Sequence, residues 1–215
     1  PEAPSEAGSA LYVSIDGAYS GYILVADALK EDSAAALAAL KKMDICTVML
    51  TGDRKENAER TAKELSLDRF YSELLPEEKL QIAEELMAKK DKNSTLCFVG
   101  DGINDAPVLA GADVGIAMGA LGSDAAVEAA DVVLMNDRPS DVCKAIGICR
   151  KTMRIVKENI VFALAVKFGV MLFIGLTAVL PGLNILESYA GELAVFADVG
   201  VSVVAILNAT RALKS

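Results

Sequence analysis

The chain has 215 residues, and 30 acidic against 21 basic side chains give it a net charge of −9. That balance excludes a general nucleic-acid binder, which needs surplus cations to neutralise phosphates. The lack of any histidine excludes His-based triads and two-His zinc sites.

Hydrophobic residues make up 53% of the chain beside 24% charged ones, a pairing that fits a chain part soluble and part membrane-embedded. Residues 1–9 are rich in Pro, Ala, Ser and Glu and read as a flexible lead-in. The start at Pro1, with no initiating Met and no signal-peptide pattern, reads as a piece of a longer or processed protein. Two apolar runs, 11–15 and 22–26, flank Asp16-Gly17 and predict a hairpin, or the closing strands of an upstream sheet.

From residue 27 onward helical and strand patterns alternate. Residues 31–42 read as a helix, 45–50 as a β-rich run, and 54–65 as a charged helix. A further helix over 77–90 follows Pro76, which suits a first turn. Residues 95–99 form an apolar strand, and 104–110, 113–118 and 131–135 continue the alternation. Such strands spaced by helices predict a parallel sheet covered on both faces, within a three-layer α/β domain. Cys46 and Cys97 lie in apolar runs and are expected to be buried free thiols; with Cys143 and Cys149 they form no CxxC pair.

After Pro139 the composition shifts. A helix over 141–158, cationic at Arg150, Lys151, Arg154 and Lys157, runs without a breaker into 160–180, which is apolar except for Lys167. At about 1.5 Å per residue that run covers a hydrocarbon core. Pro181-Gly182 ends it. A second apolar stretch, 193–209 with its start nearer Tyr189, is followed by Arg211 and Lys214. The connecting loop carries Glu187 and Glu192 and no cation, so positive-inside bias puts both outer ends in the cytoplasm. Lys167 and Asp198 fall inside the two spans, where an unpaired charge costs roughly 2.5–3.5 kcal/mol. An Asp–Lys pair between the helices, leaving a carboxylate for a passing cation, is expected.

Two carboxylate-bearing loops directly follow apolar runs: Thr51-Gly52-Asp53, and Gly100-Asp101-Gly102-Ile103-Asn104-Asp105. Ligands of open parallel sheets bind outside the carboxyl ends of strands, so the two loops are expected to share one crevice. Their glycines permit close backbone approach, and their amides suit phosphate oxygens. Asp101 and Asp105 offer hard oxygen ligands for Mg²⁺. Asn104 suits a phosphoryl oxygen, and Lys79 supplies a point cation for the same group. Either loop alone reads as an ordinary turn; both together, with Pro76-Glu77-Glu78-Lys79 between them, point to a phosphoryl site. The third glycine of a dinucleotide loop is missing, and no Gly-Lys-Ser/Thr is present.

The blocks Met49-Leu50-Thr51-Gly52-Asp53, Leu75-Pro76-Glu77-Glu78-Lys79 and Val99-Gly100-Asp101-Gly102-Ile103-Asn104-Asp105-Ala106-Pro107 resemble those of P-type cation-transporting ATPases, in order over residues 11–211. The resemblance implies an incomplete haloacid-dehalogenase-like three-layer phosphorylation domain followed by a transmembrane helical hairpin. It divides the chain into 1–26, the lead-in and last strands of a nucleotide-binding domain; 27–140, the phosphorylation domain; and 141–215, a stalk helix and two spans. By it, Thr51 and Gly52 contact the phosphoryl group and Asp53 orders the loop near the nucleotide. Lys79 binds a phosphoryl oxygen, Asp101 with Asp105 holds Mg²⁺, and Asn104 and Asp105 support the site. Asp27 and Lys30 look like the hinge between the two domains.

Asn159…Lys167 and Ala197-Asp198-Val199-Gly200 resemble the zinc/cadmium/lead class of these pumps, with Asp198 and Lys167 at the transported metal. The Asn/Tyr and Met/Ser expected of the copper class are not seen. The resemblance implies ATP as fuel, Zn²⁺, Cd²⁺ or Pb²⁺ as cargo, and a multi-pass place in the cell membrane with the α/β domain in the cytoplasm. It makes the lipid bilayer and the upstream parts of the same pump the partners, with no nucleic acid.

The family's phosphorylated aspartate lies in Asp-Lys-Thr-Gly, which this sequence does not contain. The chain by itself is therefore expected not to turn over ATP. A pump of another cation specificity, a membrane-tethered phosphatase and a non-catalytic fragment that regulates a complete pump are the alternatives. The phosphatase would need its own nucleophilic Asp.

Overall fold

A computed structural model describes residues 9–25, 28–100, 103–119, 124–179 and 190–213. Asp27, Asp101, Gly102, Pro181-Gly182, Glu187, Lys214 and the lead-in over 1–8 lie outside them. The chain divides into two compact units, Pro1–Cys143 and Lys144–Ser215.

The first unit opens with the expected hairpin. Strand β1 (Ser9–Ile15) pairs antiparallel with β2 (Ala18–Val25). Asp16 and Gly17 both take positive φ, 51° and 79°, the conformation that a two-residue turn needs to match the strand twist. Leu11, Tyr12, Ile15, Tyr22 and Ile23 are all exposed. A two-stranded ribbon with its apolar side chains uncovered is marginal alone, which suits the closing strands of a larger sheet.

The alternation that follows contains helix α1 (Ser33–Lys42), strand β3 (Val48–Leu50), α2 (Lys55–Glu64), β4 (Arg69–Tyr71) and α3 (Pro76–Lys89). Then come β5 (Cys97–Gly100), α4 (Ala106–Gly111), β6 (Val114–Met118), α5 (Asp124–Ala129) and β7 (Val132–Leu134). The strands are parallel, as predicted, but the sheet comes in two pieces among the described residues, β3–β4 and β5–β6–β7. Coverage on both faces is likewise only partial. Along β5, Phe98 and Gly100 turn inward whereas Cys97 and Val99 are exposed. Cys46 and Cys97 are thus exposed rather than buried: Cys97 takes the open face of an edge strand, and Cys46 precedes β3. The core of this unit gathers Leu109, Ala117 and Ala126, with Phe98, Ala129, Ala130 and Val133 packed against them.

An aspartate just before each later strand fastens it to its neighbour. Asp68 accepts from the Thr47 amide (2.7 Å) and hydroxyl (3.0 Å), Asp113 from the Leu96 amide (2.7 Å), and Asp131 from the Gly115 amide (2.9 Å). Asp32, at the start of α1, accepts from the Ser140 amide (3.0 Å). The Ser140 hydroxyl and then its amide hold Asp32 below the ordinary carboxylate range, and the bonds above do the same for Asp68 and Asp113, with Lys90 adding to the effect at Asp113. A carboxylate depressed in the folded state contributes stability above its unfolded pKa and loses it as pH falls through the folded value. The urea midpoint of the chain in detergent, followed by circular dichroism, is therefore expected to stay level above about pH 4 and to decline below it. Asp113→Asn is expected to make that acid decline shallower.

Helix α6 (Pro139–Val179) begins in the first unit and runs through the second. Pro139 occupies its first turn, where the missing amide costs no bond. Helix α7 (Ala190–Ala209) follows and ends in a short 3₁₀ turn, Thr210–Leu213. By length and composition both helices suffice to cross a membrane. Ala163 and Ala205 are half-buried, and Ile155, Thr177 and Val201 are buried. Without water to drive helices together, van der Waals packing and interhelical hydrogen bonds are what bind helices in lipid.

Candidate functional site

The first candidate site lies at the carboxyl ends of β3 and β5. Thr51 leaves β3, and its amide donates to the Tyr71 carbonyl (3.0 Å), while the Leu74 amide donates to the Thr51 carbonyl (3.1 Å). The Glu73 amide donates to the Asp53 carbonyl (2.9 Å). Inside the turn, the Asp53 amide donates to Thr51 Oγ1 (3.1 Å), which leaves the hydroxyl proton free to point elsewhere. A Cβ at Gly52 would stand 3.3 Å from the Leu74 carbonyl oxygen, so the chain passes close there. The Asp53 side chain is exposed.

The same 71–74 segment leads into α3. The Leu75 amide donates to the Glu78 carboxylate (2.7 Å), a reach-back bond that stabilises the helix start. Lys79 stands in the first turn, with Nζ 2.9 Å from Asp105 Oδ1. The two side chains are 20% and 14% exposed, so solvent screens this pair less than it does surface pairs. Asp105 ends a 3₁₀ turn, Ile103–Asp105, and packs over the end of β5. A Cβ at Gly100 would lie 3.0 Å from Asp105 Cβ and 3.1 Å from Oδ2. Glycine therefore leaves room for this carboxylate. Thr51 is thus bonded to Leu74, the carbonyl of the next residue, Leu75, accepts from the Lys79 amide (3.1 Å), and Lys79 leads on to Asp105 and Gly100. Asn104, on the same 3₁₀ turn, is exposed.

Donors at this rim are hard oxygens, the chemistry Mg²⁺ takes. Asp105 gives Oδ1 to Lys79 and keeps Oδ2 beside the space above Gly100, so it fits as one ligand or as the anchor of Lys79. The described residues hold no group of three Asp, Glu, Cys or His able to bind a metal, and Asp101 lies outside them. Lys30, expected at a hinge, pairs with Asp137. With the Asp32–Ser140 bond, that fastens the segment before α1 to the start of α6 and the residues just ahead of it.

The second candidate site lies between α6 and α7, where Lys167 Nζ stands 3.0 Å from Asp198 Oδ1. Sequence reading did not single out the polar contacts nearer the charged end of this hairpin, at Glu158, Asn208 and Arg211, nor any bonding role for Asn159. Their signal was two carboxamides, Asn159 and Asn208, at the margins of apolar runs.

A haloacid dehalogenase-like hydrolase profile matches residues 2–113. The zinc-transporting ATPase of Synechocystis sp. is 54% identical over 209 residues, covering 97% of this chain and 28% of that protein. The cadmium, zinc and cobalt-transporting ATPase of Bacillus subtilis is 48% identical over 215 residues, covering 99% of this chain and 29% of that one. The crystal structure of a zinc-transporting PIB-type ATPase superposes with a TM-score of 0.77 at 36% identity, over 95% of this chain and 31% of its own. The chain thus spans less than a third of the length of these relatives.

Proposed function

We propose, from the premise that this chain belongs to the haloacid dehalogenase-like hydrolase family, that it is the phosphoryl-handling and metal-releasing portion of an ATP-driven pump for divalent heavy metals. The α/β unit would work in the cytoplasm and α6 and α7 would span the membrane, an orientation supported by cations at the outer ends of the hairpin. The observation that carries the metal reading is the Lys167–Asp198 pair. The two side chains are 62% and 63% exposed within this chain. Charges at apolar depth face protein or a polar path rather than lipid. The open side of this pair is where a zinc, cadmium or lead ion would meet the carboxylate.

At the rim of β3 and β5, the Thr51 hydroxyl and Gly52 amide would donate to phosphoryl oxygens, and Asp53 would keep the turn ordered. Lys79, oriented by Asp105, would neutralise charge that develops on the transferred group. Asn104 would donate to another phosphoryl oxygen. Asp101 and Asp105 would hold Mg²⁺, which supplies further charge neutralisation. The nucleophile would be the aspartate of an Asp-Lys-Thr-Gly segment outside this sequence. Its carboxylate oxygen would bond to the γ-phosphorus of ATP as ADP leaves, and water would later cleave the acyl phosphate. Among the described residues β3 and β5 each have one unpaired edge, which suits a strand that carries such a segment between the two loops.

The test is ATP hydrolysis by the intact membrane protein. Zn²⁺, Cd²⁺ or Pb²⁺ is expected to stimulate it, and Lys79→Ala to lower the stimulated rate about 100-fold or more. Hydrolysis indifferent to these ions overturns the reading.

A further inference from the structure

Lys167 and Asp198 stand beside the α6–α7 seam rather than on it. The half-buried seam positions of α6 include 159, 163, 166 and 170, and those of α7 include 194, 197, 201, 205 and 208. Apart from its two carboxamides the seam is alanine and valine, which specify register weakly, because a slip of one turn sets one small apolar side chain in place of another. The ion pair adds little, since a lysine tether is long enough to follow its partner. Something else must fix which residues of the two helices lie level.

Such a contact exists nearer the charged end. Asn159 Nδ2 donates to the Ala205 carbonyl (3.1 Å), and Asn208 Nδ2 donates to Asn159 Oδ1 (2.8 Å). Arg211 Nη1 donates to Asn208 Oδ1 (2.7 Å) and to Glu158 Oε2 (3.0 Å). Both carboxamides use donor and acceptor, and each finds its partners on the opposite helix or through Arg211. A slip of one turn, about 5.4 Å, would strip both half-buried carboxamides of their partners at once.

The levels agree. From Asn159 to Lys167 is eight residues, about 12 Å along α6. From Asp198 to Ala205 and Asn208 is seven and ten residues, about 10 and 15 Å along α7. One antiparallel register therefore satisfies the polar network and the ion pair together.

We propose that Glu158, Asn159, Asn208 and Arg211 are positioning residues, a register clamp that sets Asp198 opposite Lys167 and so places the carboxylate for the metal ion. The metal part rests on the functional reading given above; the clamp itself does not.

The test labels the native Cys149 and an introduced Phe196→Cys with nitroxides in the intact protein, with the other cysteines replaced, reconstituted in phospholipid vesicles. Cys149 and Phe196 are exposed and lie far apart along the hairpin, so their separation reports sliding directly. Asn159→Ala with Asn208→Ala is expected to shift or split the distance distribution by about 5 Å, one helical turn, and to raise the KM for metal at least tenfold. Because this pair of substitutions risks misfolding, Glu158→Arg and Arg211→Glu supply a second arm. Each alone is expected to broaden the distribution, and the two together, which rebuild the ion pair but not the Arg211–Asn208 bond, to narrow it back toward the wild-type distance and to lower the KM from that of either single variant. A wild-type distance in Asn159→Ala/Asn208→Ala and in each single charge variant overturns the clamp. A shifted distance with unchanged metal dependence upholds the clamp and removes Asp198 from transport, so the two failures are distinguishable.

Discussion

Asp198→Ala is expected to abolish metal-dependent transport in the intact protein, and restoring charge balance is expected not to bring it back. The single substitution removes the carboxylate that pairs with Lys167 at 3.0 Å. It also leaves an ammonium alone at apolar depth, at a cost of roughly 2.5–3.5 kcal/mol on insertion scales. Loss of transport by this variant alone would thus mix chemistry with folding. The double variant Asp198→Ala/Lys167→Ala separates them, because it removes both charges and leaves the Asn159–Asn208 contact in place. It is expected to insert and to survive detergent extraction like wild type, yet to move no metal above background in vesicle uptake. An oxygen ligand lost to the ion is not supplied by a methyl group. Wild-type uptake by the double variant would remove Asp198 from the metal path.

The second large effect is on stability. Gly115→Ala is expected to cost about 3 kcal/mol, toward the top of the usual range for overpacking. Gly115 sits in β6, the middle strand of β5–β6–β7, and is buried. Its amide donates to Asp131 Oδ2 (2.9 Å), and its carbonyl accepts from the Asp131 amide (2.9 Å). A Cβ there would lie 2.4 Å from the Leu109 carbonyl oxygen and 2.9 Å from its carbon. The obstacle is backbone, so no rotamer change relieves it. Either α4 lifts from the sheet, uncovering the fully buried Val108 and Leu109, or β6 shifts and breaks both bonds to Asp131.

Gly147→Ala is the contrast. A Cβ at Gly147, inside α6, meets nothing within 4 Å, and alanine in an open helical position is favoured over glycine by roughly 0.5–1 kcal/mol. Thermal unfolding of the two variants should therefore move in opposite directions from wild type. A Gly115→Ala protein as stable as its parent would show that α4 packs on β6 less closely than described.

Local pattern was enough to locate most elements, because helix and strand periodicities are properties of neighbouring residues. The two spans and the hairpin turn at Asp16-Gly17 were legible for that reason, as was the pair of Gly/Asp loops. Strand β4 and helix α5 were not: Phe70 and Tyr71 stand between charged and polar residues with no apolar run to mark a strand, and α5 offers only small and acidic side chains around Val127. The two-piece sheet was hidden as well, because an apolar run does not disclose whether a neighbour lies on each side of it.

The site chemistry divides along the same line. Sequence by itself determined which groups are available: Thr51, Asp53, Lys79, Asn104 and Asp105 at strand ends and helix starts, and one lysine and one aspartate within apolar runs. Only tertiary structure decided which of them meet. Lys79 binds Asp105 across 26 residues, Asn208 reaches Asn159 across 49, and an aspartate before each later strand takes an amide from its neighbour. Such pairings depend on the register and approach of distant segments. Register follows from packing summed over whole elements, and no local window of residues contains that sum.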